Sequence, residues 1–267
     1  MKSLLPILTI ALACFVTSCT NDIPKEKGFQ VSHASENERT EQTEDLNEDS
    51  LKFATRPSSV LVTGLQDVKL TTIYKVNYRQ VKKSGKEIKI PFIGSNEFHY
   101  RYEDTSTNDG NNWNNHLMPG IEALYGYNLV NISHYNIKED RQKYFFDSPV
   151  LIRTLYYPTD KADTLNHKPI FRDYFMVTVY NDDTNKDGHV NMKDLRRMYL
   201  FDAKGEMQKA LVPENYSIFK SEYDPKSDVM YVFARLDANE NGQEDDNEPI
   251  HVFWIDLKKP ERTGRLY

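Results

Sequence analysis

From about Val60 onward the chain alternates apolar and polar residues with the two-residue period of half-buried β-strands. Leu70, Thr72, Tyr74, Val76 and Tyr78 share one parity, as do Phe98, Tyr100 and Tyr102. Two runs, VLIRTLYY at 150–157 and FMVTVY at 175–180, are apolar on both parities, which predicts central strands covered on both faces. Between the runs stand reversal signals: KSGK at 83–86, DAKGE at 202–206 and YDPKSD at 223–228 put Gly, Pro or Asp where a turn needs them. Helical periodicity is nearly absent, and only single turns are expected, near residues 118–124 and 192–196. The pattern predicts one all-β domain over 59–267, long enough to bury a sizeable core.

The first 58 residues follow other rules. Lys2 opens a short basic segment, an apolar stretch runs from Leu4 to Val16, and VTSC ends at Cys19. This is the layout of a signal peptide, too short to stay in a bilayer as a permanent span. VTSC resembles the lipobox of bacterial lipoproteins. That resemblance implies removal of residues 1–18, acylation of Cys19 and, with Thr20 following it, sorting to the outer membrane; an ordinary secretory signal is the alternative. Residues 19–58 are rich in Glu, Asp, Asn, Ser and Thr, with ENERTEQTEDLNEDS at their centre, and read as an acidic disordered tether. The 39 residues from Thr20 to Ser58 would span roughly 35 Å r.m.s..

Composition narrows the classes. The formal net charge is −6, and losing residues 1–18 with Lys2 makes it −7, so nucleic acid is a poor partner for the chain. Both cysteines, Cys14 and Cys19, lie in the leader, so no internal disulfide can form in the mature chain. The seven His residues are scattered without zinc-ligand spacing, and no nucleophile, zinc-protease or phosphate-loop motif is present. No catalytic residue is assigned.

The segment DTNKDGHVNMKDL, 183–195, fills the positions of a twelve-residue calcium loop. Asp183, Asn185 and Asp187 supply side-chain oxygens at positions 1, 3 and 5, and Gly188 takes the sharp turn at position 6. His189 would offer its backbone carbonyl, Asn191 would bind directly or through water, and Asp194 closes the loop at position 12. Hard oxygen donors suit Ca²⁺. A second copy, Asp237, Asn239, Asn241, Gly242, Asp245 and Glu248, begins 54 residues later. There Glu244 occupies position 8, where an aliphatic residue is usual, so a metal site and a solvated acidic turn both stay open. Apolar runs flank both loops, so each is expected to join two strands, and the recurrence predicts a repeated strand-loop-strand unit.

The loop is EF-hand-like in its DxNxDG spacing, but its flanks read as strands, and it is more similar to the calcium loops of integrin-type propeller blades. The stretch from Ser221 to Leu257 resembles a blade of TolB-type, WD-repeat-like β-propellers. That resemblance, spanning about 170–257, implies a small or open propeller-like array of antiparallel hairpins, with a β-sandwich as the alternative. A degraded third copy is read at Asp104, Ser106, Asn108 and Gly110. The expectation is a lipid-anchored protein of the bacterial envelope, with structural Ca²⁺, acting as a binding or scaffolding module for a protein or glycan partner. Tyr-rich surfaces and Trp113 would serve that role. The rival is an envelope hydrolase acting on polysaccharide or peptide.

Overall fold

A computed structural model describes residues 28–31, 53–83, 86–93, 98–99 and 118–267. The first nine strands are β1 (Gly28–Gln30), β2 (Thr55–Val62), β3 (Val68–Lys83), β4 (Lys86–Ile93), β5 (Phe98–His99), β6 (Ile121–Asn136), β7 (Arg141–Tyr144), β8 (Leu151–Pro158) and β9 (Asp163–Leu165). They are followed by β10 (Lys168–Ile170), β11 (Tyr174–Tyr180), β12 (His189–Asn191), β13 (Arg197–Asp202), β14 (Met207–Ala210), β15 (Tyr216–Asp224), β16 (Val229–Leu236), β17 (Ile250–Asp256) and β18 (Thr263–Arg265). The described residues contain no helix, and their strands pair antiparallel throughout.

The fold is all-β, as the alternation predicts. A large open sheet runs in the order β14, β13, β11, β8, β6, β3, β2, with β4 added to β3 and with β5 and β7 added to β6. A second sheet runs β15, β16, β17, β18. Met176, Met198 and Leu200 of the large sheet share one core with Met230, Val232, Phe253 and Ile255 of the small one. Phe175, Val177, Tyr199 and Phe201, of the opposite parity, fill another core with Leu70, Leu129 and Ile132. The central strands are thus buried on both faces, which is why β8 and β11 carry apolar residues at both parities.

The second core is aromatic. Phe145 and Phe201 stack with ring centroids 4.6 Å apart, and Phe146 meets Phe201 edge-on at 5.4 Å. His134 lies within it, 2% exposed, its ring edge-on to Phe175 and its Nε2 3.0 Å from the Ala203 carbonyl oxygen. Burial holds the imidazole below its ordinary pKa of 6.5, with a smaller push in the same direction from Lys143 and an opposing one from the Ala203 carbonyl.

The two sheets are tied by an ion pair outside the apolar contacts. Arg172, just before β11, donates through Nη2 to Asp228 Oδ1 at 2.8 Å and through Nη1 to Asp228 Oδ2 at 3.1 Å. The Arg172 and Asp228 side chains are 2% and 0% exposed. Arg172 also reaches the carbonyls of Pro119 and Leu257, and Tyr223 donates to Asp228. Asp228 ends the β15–β16 turn in a left-handed conformation, φ 57°, and Leu257 follows β17. One guanidinium therefore fixes a segment of the large sheet against two connections of the small one, in the bidentate geometry that suits Arg.

Three places differ from the sequence reading. Residues 118–124 hold a turn and then the start of β6, because Ile121–Tyr125 find ladder partners in β8. Residues 192–193 form a plain turn rather than a helical one. Two pieces of the segment read as tether belong to the fold: β2 starts at Thr55, and β1 pairs with β12. Phe29 of β1 buries its ring with Val130, Leu151, Tyr180 and Val190, 5.0 Å from the Phe53 ring, and Lys75 Nζ donates to the Gly28 carbonyl at 2.6 Å. A single aromatic residue within a polar run carries little periodic signal, so this docking was not legible.

Asp228→Ala leaves a buried guanidinium without its carboxylate and is expected to cost about 3–5 kcal/mol, read from the denaturant midpoint at constant slope. A change under about 1 kcal/mol would show that the clamp is dispensable. For His134 the folded pKa lies below the unfolded one, so the unfolded chain binds more protons as pH drops. Its contribution is complete above about pH 6.5 and is lost as pH falls through the folded pKa. Comparing denaturant midpoints at about pH 8 and about pH 5.5, wild type should lose more stability than His134→Gln.

Candidate metal centre

The first acidic loop leaves β11, passes through β12 and enters β13, its neighbour in the large sheet; the second joins β16 to β17 in the small sheet. Each therefore connects adjacent antiparallel strands, as the flanking apolar runs predict. In the first loop Asp183 takes both oxygens back onto the chain: Oδ1 accepts the Asp187 N–H at 3.0 Å and Oδ2 the Gly188 N–H at 2.8 Å. Asn185 Oδ1 accepts the same Asp187 N–H at 3.0 Å, and Asp187 Oδ1 accepts the His189 N–H at 2.9 Å. Asp194 closes the ring, with Oδ1 on the Thr184 N–H at 2.8 Å and Oδ2 on the Asn191 N–H at 2.8 Å.

The second loop repeats this pattern. Asp237 accepts the N–H groups of Asn241 and Gly242 at 3.1 and 3.0 Å, Asn239 accepts that of Asn241 at 2.9 Å, and Asn241 accepts that of Gln243 at 2.8 Å. Glu248 accepts the Ala238 N–H at 3.0 Å and the Asp245 N–H at 3.2 Å. Positions 4 and 6 are left-handed in both loops, φ 58° and 84° at Lys186 and Gly188, φ 56° and 72° at Glu240 and Gly242. Two segments 54 residues apart thus adopt one backbone path held by one set of bonds.

The donors are oxygens of Asp, Asn, Glu and backbone, the set a hard divalent cation takes. Val31 N–H donates to the Gly188 carbonyl at 2.9 Å, which makes Gln30 and His189 a non-hydrogen-bonded pair of the β1–β12 ladder. The His189 carbonyl is therefore not used by β1. Asp194 is fully buried, and among the described residues no Lys or Arg is paired with it. Burial raises its pKa, opposed by the N–H groups of Asn191, Asn185 and Thr184. The amides of Asn239 and Asn241 hold Asp245 below the usual carboxylate range. At Asp187, burial pushes the pKa up, but the His189 N–H and the Asn191 and Asn185 amides together bring it below that range.

Among the described residues, no three Asp, Glu, His or Cys side chains gather closely enough to enclose an ion unaided. The carboxylates stand around a ring of N–H donors, with asparagines between them. Position 8 is resolved differently in the two loops. Val190 is buried beside Phe29, whereas Glu244 turns away from its loop to pair with Arg235 and to accept the Ser217 hydroxyl at 2.9 Å. Both side chains fasten their loop to its sheet, so the glutamate leaves the loop path unchanged.

The two loops touch. Thr184 Oγ1 donates to the Gly242 carbonyl at 2.5 Å and accepts the Leu195 N–H at 2.9 Å, and Asp194 forms an isolated antiparallel bridge with Gln243. Position 2 of the first loop thereby meets position 6 of the second. Nothing in the sequence distinguishes Thr184 from any other loop threonine, so this junction was missed.

Elsewhere on the large sheet lies an open groove of about 400 Å³ bordered by β2, β3, β6 and β7. Tyr135, Tyr144, Gln142, Ser133 and Asn131 line it with Pro57, and no charged residue does. Cys19, Trp113 and the degraded copy at 104–110 lie outside the described residues.

No family model matches the chain, and no curated protein matches it. Among solved structures it is similar to dipeptidyl peptidase 4 of Porphyromonas gingivalis, with 11% identity and a TM-score of 0.22, over 78% of this chain and 30% of that one. The chain thus spans under a third of that protein's length, and a likeness this loose carries no argument about fold or activity.

The two position-6 glycines give a paired prediction. A Cβ on Gly242 would run into the Thr184 backbone, whereas one on Gly188 would meet nothing within 4 Å. Both substitutions to Ala incur the left-handed penalty of about 1–2 kcal/mol. Gly242→Ala is expected to lose clearly more stability than Gly188→Ala in thermal unfolding, and equal losses would show that the junction is loose.

Proposed function

We propose that this chain is a lipid-anchored protein of the bacterial cell envelope whose paired hairpin loops hold structural Ca²⁺, and which acts as a binding or scaffolding module. The observation that carries the metal reading is the identical hydrogen-bond path of the two loops, each turning the oxygens of positions 1, 3 and 5 around one left-handed bend. In the first loop Asp183, Asn185, Asp187, Asn191, Asp194 and the His189 carbonyl would hold the ion. Asp237, Asn239, Asn241, Asp245 and Glu248 would do so in the second. A bound divalent cation offsets the mutual repulsion of three carboxylates per loop and the burial of Asp194.

The anchor reading rests on the leader and on the lipobox ending at Cys19. The binding-module reading rests on the uncharged groove, where tyrosine rings beside hydroxyl and amide groups suit a neutral polar partner such as a glycan or a peptide backbone. An outer-membrane location follows from Thr20 after the lipobox, by resemblance to other lipoproteins.

Calorimetric titration with Ca²⁺ tests the metal claim. Wild type is expected to bind in the range of extracellular modules, about 10⁻⁴ to 10⁻³ M, and to gain about 1.4 kcal/mol of stability at a free concentration tenfold above Kd. The Asp183→Ala/Asp187→Ala chain should lose the first site and Asp237→Ala/Asp245→Ala the second. Titration curves unchanged in both variants would remove calcium from the account.

A further inference from the structure

The chain is acidic overall, yet one segment is strongly basic and projects from the fold. The second half of β3 pairs only with β4 among the described strands, from Val76↔Ile93 to Lys83↔Lys86, and makes a two-stranded arm. Residues 76–93 carry five basic side chains, Arg79, Lys82, Lys83, Lys86 and Lys89, against the single acid Glu87, in a chain of net charge −6. Among the described residues none of the five cations has an ion-pair partner.

The arm also exposes apolar side chains. Ile88, Ile90 and Phe92 are 43%, 37% and 40% exposed and, two residues apart on one strand, share a face. The register sets Val81 opposite Ile88 and Arg79 opposite Ile90, with Lys83 opposite Lys86 at the tip of the same face. Apolar rungs thus end in a cationic tip. Two-stranded ribbons are marginally stable in water alone, and contiguous exposed apolar residues ask for cover. Strand addition by a second copy is opposed at β4 by Lys86, Lys89 and Pro91, which lacks an N–H.

From this charge pattern we infer that the β3–β4 arm is a docking surface for an anionic lipid bilayer. Ile88, Ile90 and Phe92 enter the headgroup boundary, while Arg79, Lys83 and Lys86 reach lipid phosphates from their long stems. This deepens the envelope reading, since a chain tethered at Cys19 has such a surface within reach, but it needs neither the acyl chain nor Ca²⁺.

The test uses residues 19–267 carrying Cys19→Ser, which keep every described residue and cannot be acylated. Co-sedimentation is measured with vesicles of phosphatidylglycerol and phosphatidylethanolamine, and with phosphatidylcholine vesicles. Binding is expected to the anionic vesicles only, to weaken with salt, and to fall about tenfold or more in Arg79→Gln/Lys83→Gln/Lys86→Gln. It should fall comparably in Ile88→Ser/Ile90→Ser/Phe92→Ser, with thermal unfolding unchanged because these three side chains belong to none of the cores. Binding equal on both vesicle types, or arm variants that bind like wild type, would overturn the inference. So would a loss in the charge variant alone, which would show attraction to any anionic surface without entry of the apolar residues, or arm-dependent self-association without vesicle binding. None of these results bears on the acyl anchor, which is tested by metabolic labelling of Cys19.

Discussion

The structure turns on the buried pair between Arg172 and Asp228. The sheets that carry the two acidic loops come from separate stretches of chain, and their apolar contact is a slab rich in Met, Val, Phe and Ile, with directional bonds at its margins from the Tyr174 hydroxyl to the Leu257 carbonyl and from the Ile218 N–H to the Arg196 carbonyl. A core of that kind sets distance well and in-plane orientation poorly, because dispersion and hydrophobic terms are nearly isotropic. The bidentate guanidinium–carboxylate contact, supplemented by the carbonyls of Pro119 and Leu257, adds a fully buried, charge-assisted direction to those marginal bonds. Two charges removed from water add little net stability, but they reject sliding of one sheet over the other, since any shift strands them.

Loop alignment depends on that frame. Thr184 and Gly242 meet only if β11 and β16, one in each sheet, keep their relative height. Within each loop the carboxylates satisfy backbone N–H groups that a tight turn would otherwise leave without partners, so the acidic residues have a structural task of their own. The same bonds fix where the remaining lone pairs point. This separates what the loop sequence does for folding from what it offers a cation, and it explains why one pattern recurs in two sheets of different size.

Much of this was legible from residue order. The parity of Leu70, Thr72 and Tyr74, the two-sided runs of β8 and β11, and the turns at 202–206 and 223–228 all correspond to observed strands and reversals. Placing the loops in strand-to-strand connections followed from their flanks. What escaped is non-local. Asp228 reads as a turn residue because nothing in a single acid reveals a guanidinium 56 positions away, and nothing in the residue order marks Arg172 as its partner. Glu244 counted against the second loop only because its partners Arg235 and Ser217 are brought to it by the β15–β16 pairing. Phe29 was hidden by its surroundings, since a pattern needs several members to be seen.

The docking of Phe29 shortens the leash of the anchor proposed at Cys19. A chain held at Cys19 has nine residues to reach Gly28, a contour of roughly 30 Å, against several times that for a free run to Ser58. With Cys19 acylated as proposed, such a leash would confine the body to a shallow layer above the lipid and limit its tumbling. Any surface it offers would then be presented at high local concentration and in a restricted set of poses.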